Sequence, residues 1–161
     1  MKLPHEQPGM LMNRSMPSSV VMPVLEYPDV REAVDWLCRT FGFVERLRIG
    51  NHRAQLCFGE GAVIVVERNA AHGASSPEVS GSNSLPADGF IHSVMVRVAD
   101  VDNHHEQAKR FGARIVNPPT DYPYGERQYS GEDLGGHQWT FSQTIADVDP
   151  SSWGGILFEQ L

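Results

Sequence analysis

Residues 27–43, YPDVREAVDWLCRTFGF, are echoed by residues 98–114, VADVDNHHEQAKRFGAR. Each stretch opens on Asp-Val and closes on Phe-Gly, and the opening aspartates, Asp29 and Asp100, stand 71 positions apart. An aspartate just ahead of a helical pattern accepts a hydrogen bond from a free amide of the first turn. Glu32 completes a capping box with Asp29, and Gly42 and Gly112 can take the left-handed conformation that ends a helix. Val30, Ala33, Val34, Leu37 and Phe41 form an apolar stripe at helical spacing. A strand pattern precedes each helix, at 20–27 and 91–98, and three follow it: FVERLRI, RAQLCF and AVIVVE in the first copy, ARIV, GERQYS and HQWTFSQ in the second. The chain is therefore a duplicated strand–helix–strand–strand–strand unit. Module one spans 20–67 and module two 90–143. Residues 68–89 join them, rich in Gly, Ser, Ala and Pro and without periodicity, as a linker is. Residues 1–19 read as a tail and 144–161 as a C-terminal extension.

The 161 residues suffice for one domain. A net charge of −7 leaves no basic surface to neutralise phosphates, so nucleic acid is not an expected partner. Cys38 and Cys57 do not form a CxxC pair and read as free thiols of a reducing compartment. With no signal-peptide core and no run of about 20 apolar residues, the expectation is a cytoplasmic chain without a membrane partner.

The words YPDVREAVDWLCRTFGF, VRVADVDNHHEQAKRFGA and YGERQYSGEDLGGHQWTF are similar to those of the vicinal oxygen chelate superfamily, the glyoxalases, bleomycin resistance proteins and dioxygenases. They most resemble its bleomycin-resistance-like branch, over residues 20–143. The resemblance implies an α+β fold in which two βαβββ modules form a curved mixed, mainly antiparallel sheet around a cleft. It also implies a small-molecule ligand and a homodimer. Metal-dependent members place His, Gln or Glu ligands on the first and fourth strands of each module. Alignment by the capping Asp and by the glycine before the last strand puts Met22, Val65, Ser93 and Thr140 at those positions. None is a normal ligand for a catalytic divalent ion, so neither metal nor cofactor is expected. The reading is a binder of a small aromatic or cationic molecule. The alternative is a divalent-metal enzyme of the glyoxalase or dioxygenase kind, with His52, His92, Glu26 and Glu67 as candidate ligands.

Strand alternation nominates the binding side chains. Val94, Val96 and Val98 form an apolar face, which leaves Ser93, Met95 and Arg97 towards the cleft. By the same argument Thr140 opposes Trp139 and Phe141. In module one Met22, Val24 and Glu26 oppose Leu25 and Tyr27. Val65 and Glu67 oppose Ile64 and Val66, and Gln55 shares the cleft face with Cys57. Tyr124 and Arg127, in the aromatic run 122–129, could stack on and orient a flat ligand. His92 falls one residue out of phase with the ligand position. His104 and His105 lie on or beside the packing stripe of the second helix, and Asp100 and Asp102 are cap and first-turn residues. Trp36 reads as a helix residue and Trp153 as the anchor of the C-terminal segment.

Overall fold

The computed structural model describes residues 11–68 and 92–158. Two compact units divide the chain between Ser75 and Ser76. The linker expected at 68–89 lies outside the described residues, except for Arg68.

In the first unit β1 (Val24–Tyr27) leads into α1 (Val30–Phe41). Three strands follow: β2 (Val44–Ile49), β3 (Arg53–Phe58) and β4 (Gly61–Glu67). They form one sheet in the order β1-β4-β3-β2. β1 runs parallel to β4, and the hairpin-linked strands β2–β3 and β3–β4 are antiparallel. Asp29 caps α1, accepting from Glu32 N at 3.0 Å, and Gly42 ends it with φ 85°. The helix buries Val30, Ala33, Val34, Leu37 and Phe41. They pack against Leu25, Tyr27, Ala54, Leu56, Val63 and Val65, all at most 3% exposed.

The second unit repeats the plan with β5 (Val94–Arg97), α2 (Val101–Arg110), β6 (Arg114–Tyr122), β7 (Glu126–Glu132) and β8 (Gln138–Thr144), in the order β5-β8-β7-β6. Asp100 caps α2, accepting from Asn103 N, and Gly112 follows the helix with φ 99°. Trp139, Phe141 and Tyr129 fill the space under α2, each at most 1% exposed. β6 runs six residues beyond the ARIV pattern. It does so through register shifts around Pro118 and Pro119, which have no N–H to give to a ladder. A 3₁₀ turn (Pro150–Trp153) closes the C-terminal segment.

One difference breaks the duplication. In β3–β4, Phe58 pairs with Gly61 around a two-residue turn, Gly59-Glu60. In β7–β8, Asp133 N bonds His137 O around Leu134, Gly135 and Gly136, one residue more. The larger loop is organised by the Asp133 carboxylate. It accepts from Gly135 N at 2.9 Å, His137 N at 3.0 Å and Trp139 Nε1 at 2.9 Å. The motif GEDLGGHQW is thus a turn that ties its own carboxylate to the largest side chain of the core.

Candidate functional site

Each sheet has one face under its helix and one open face. Cross-strand partners point to the same side of a sheet, so the register sorts the candidate residues. In module two, Val94 pairs with Trp139 and Val96 with Phe141 on the helix side. Met95 pairs with Thr140 and Arg97 with Ser142 on the open side. Ser93, two residues before Met95, shares that side.

In module one, Val24 pairs with Ile64 and Glu26 with Val66, so Val24 and Glu26 lie on the open face. Met22, two residues before Val24, is in the same phase and half-buried. Val65 is not. It pairs with Leu25 and Ala54, is 0% exposed and belongs to the core under α1. Glu67 pairs with Tyr27 in the helix-side register and is exposed at the strand end. The assignment of Val65 and Glu67 to the binding face is therefore corrected. The cause is the hairpin: alignment through the glycines ignores the extra residue of the β7–β8 loop, and a slip of one residue inverts every side chain beyond it. The open-face counterpart of Thr140 is Ile64.

Arg127 is a second correction. It pairs with Gln143 and Asp121 in the helix-side register. Its guanidinium bonds Asp121 Oδ1 at 2.6 Å and Asp102 Oδ2, in the first turn of α2, at 2.9 Å. That hydrogen bond holds the Asp121 carboxyl below its usual range. Arg127 ties the start of α2 to β6 and β7. Tyr124, in the turn between those strands, stacks on Tyr122 with ring centroids 5.3 Å apart and meets Trp153 edge-on at 5.4 Å. Trp153 anchors the C-terminal turn there, and Trp36 lies edge-on to Phe41.

The histidine-rich run is accounted for by packing. His104 Nδ1 and the Tyr129 hydroxyl are hydrogen-bonded at 2.6 Å, and the His104 ring lies 4.2 Å from that of Phe141. Burial pushes the Tyr129 hydroxyl pKa upward. His105 lies edge-on to Tyr129 and 3.5 Å from Glu106. His92 is exposed ahead of β5, and His52 is exposed in the β2–β3 turn.

A cavity of about 200 Å³ opens on module two. Its lining includes Ser93, Thr140, Ser130, Asn117, Gln128, Gln138 and Tyr122. All of these have hydroxyl or carboxamide side chains. Asn117 Nδ2 donates to Ser130 Oγ at 3.1 Å, Gln128 Nε2 to Ser142 Oγ at 3.4 Å, and Ser142 Oγ to Glu126 Oε1 at 2.6 Å. Alternation had identified Ser93 and Thr140. It missed Asn117, Gln128 and Ser130, although Ser130 pairs with Thr140 and Gln128 with Ser142 across the β7–β8 ladder. Gln138, two residues before Thr140 on β8, shares its side by the same alternation. The irregular register of β6 hides Asn117 from any sequence pattern. Met95 is 61% exposed beside Thr140.

Among the described residues, no group of three His, Cys, Asp or Glu side chains is placed to hold a metal ion. The open-face positions where metal-dependent relatives carry ligands hold Met22 and Ile64 in module one and Ser93 and Thr140 in module two. A thioether, an alkyl group and two hydroxyls do not fit a catalytic divalent ion, which takes imidazole or carboxylate. Also among the described residues, no helix is long and apolar enough to cross a membrane.

Two duplicated βαβββ modules with this strand order define a class, and residues 20–141 match the family model of the Glyoxalase/Bleomycin resistance protein/Dioxygenase superfamily. The chain belongs to that family. It is 37% identical to TioX from Micromonospora sp. ML1, covering 78% of this chain and 99% of that one, with a TM-score of 0.58. The fold also matches FosX from Listeria monocytogenes, a genomically encoded fosfomycin resistance protein. That match has 14% identity and a TM-score of 0.57, covering 80% of this chain and 94% of that one. Protein Rv0887c of Mycobacterium tuberculosis is 24% identical over 152 residues, 90% of this chain and 85% of its own.

Proposed function

We propose that the chain captures a small aromatic or cationic molecule, an antibiotic among the candidates, without a catalytic metal. The observation that carries this reading is the module-two cavity. Its lining carries neutral hydroxyls and carboxamides, and the two positions aligned with the His, Gln or Glu ligands of metal-dependent relatives hold the hydroxyls of Ser93 and Thr140. Such groups orient a ligand by hydrogen bonds and supply neither a Lewis acid nor a strong base. Tyr122 offers a flat face to an aromatic ring, and Met95 offers apolar contact at the rim. Arg97, on the open face of module two, is a charged group that would select for ligand charge. Capture alone lowers the free concentration of a toxic compound, so no reaction is required. The working unit is a homodimer, as is common in the family.

Two measurements test this. The protein is incubated with nickel, zinc, manganese and ferrous iron, then desalted and analysed for metal. Substoichiometric metal is expected, and one tightly held ion per chain would overturn the reading. Aromatic and cationic antibiotics are then screened by thermal shift on wild type and on Thr140→Arg, which fills the cavity. A compound that stabilises wild type should fail to stabilise the variant. Equal stabilisation of both would remove the cavity as the site.

A further inference from the structure

The open face of module one already has an occupant. Asn13 opens a tight turn, its Oδ1 accepting from Ser15 N at 3.0 Å and its carbonyl from Met16 N at 3.1 Å. The turn presents two consecutive backbone carbonyls to the sheet. Arg46 Nη2 donates to the Arg14 carbonyl at 2.8 Å, and Gln55 Nε2 donates to the Ser15 carbonyl at 2.8 Å. The two donors are locked together, since Arg46 Nη1 also donates to Gln55 Oε1 at 2.6 Å. Gln55 pairs with Leu47 and Ile64, which puts it on the side away from α1, and it is 3% exposed. Arg46 is the extra residue of a β-bulge between Glu45 and Leu47, a device that re-aims a side chain. Pro17 is buried. A buried carboxamide whose oxygen is fixed by a guanidinium has its N–H₂ aimed outward at an acceptor.

We propose that Arg46 and Gln55 form a clamp for adjacent peptide carbonyls, and that Asn13–Pro17 is a strap the clamp holds in place over the open face of module one. The clamp recognises backbone, not side chains. The ligand chemistry it suits is therefore a molecule with neighbouring amide carbonyls, and such a ligand must displace the strap to bind there. The strap and clamp stand on module one alone. They do not depend on the module-two cavity or on what it binds.

The strap contains its own reporter. The Arg14–Ser15 bond is a trypsin site, and its carbonyl is one of the two the clamp holds. The intact protein is digested briefly, and loss of residues 1–14 is followed by mass. Cleavage at Arg14 should be about tenfold faster in Gln55→Ala than in wild type, because both the carbonyl contact and the partner that orients Arg46 are gone. Pro17→Asp should give the same acceleration from the strap side, since Pro17 lies outside the strands of the sheet. General loss of fold would instead open Arg31 and Arg39 inside α1. If Gln55→Ala does that, Pro17→Asp alone decides. Equal cleavage at Arg14 in wild type and Pro17→Asp would overturn the proposal.

Discussion

Asp133 shows how one carboxylate can set a local structure. It is 6% exposed and accepts from two turn amides and an indole N–H. Replacing it with Ala leaves those donors without their acceptor beside a buried tryptophan. We expect a loss of about 3 kcal/mol, read by urea unfolding. Glu45 plays a different part. It takes two hydrogen bonds from Arg48 and two from Arg31 of α1, and its side chain is 20% exposed. The hydrogen bond from Arg48, followed by that from Arg31, lowers its pKa below the ordinary value near 4.5. A lowered folded-state pKa contributes stability above the unfolded value, and that stability is lost as pH falls through the folded value. Glu45→Gln should thus cost about 1 kcal/mol at neutral pH. The gap to wild type should close as the pH drops below the carboxylate range, which melting curves at neutral and acid pH would show.

At the scale of elements, the sequence was legible where its signal was local. The caps at Asp29 and Asp100 and the stripe of α1 follow from chemistry within one or two turns. The faces of β5 and β8 were legible because apolar and polar residues alternate along them. β4 was not, because Ala62 to Val66 are all apolar and alternation is silent there. The orientation then rested on aligning the glycines, and the longer β7–β8 loop defeated that. Arg127 was misplaced because its partners, Asp102 and Asp121, are brought to it by tertiary structure. The strap left no trace at all, since what binds is backbone. Gly125 belongs to this scale too. Its carbonyl accepts from Ile145 N and Ala146 N, and its φ is 85°. A Cβ there would run into the backbone of Ala146. Gly125→Ala should cost about 2 kcal/mol or more by urea unfolding. It should also loosen the contact of Trp153 with Tyr124, raising quenching of tryptophan fluorescence by iodide.

For the whole molecule, family membership narrows the function without fixing it, since these folds host both metal chemistry and plain sequestration. The dimer proposed above is checked by light scattering during gel filtration, where a mass twice that of one chain is expected and a single-chain mass would count against it. The two modules are equal in plan and unequal in content. Module two offers hydroxyls and carboxamides on its open face, whereas module one offers Val24, Ile64 and a clamp already engaged with the chain's own tail. The three-residue loop held by Asp133 sets a rule for anyone rebuilding this molecule as a perfect tandem. A designer who copies module two into both halves, loop included, would present the hydrogen-bonding surface twice. One who transplants β8 onto the two-residue turn of module one would turn Trp139 outward and bury Thr140, and the half so made would have no core.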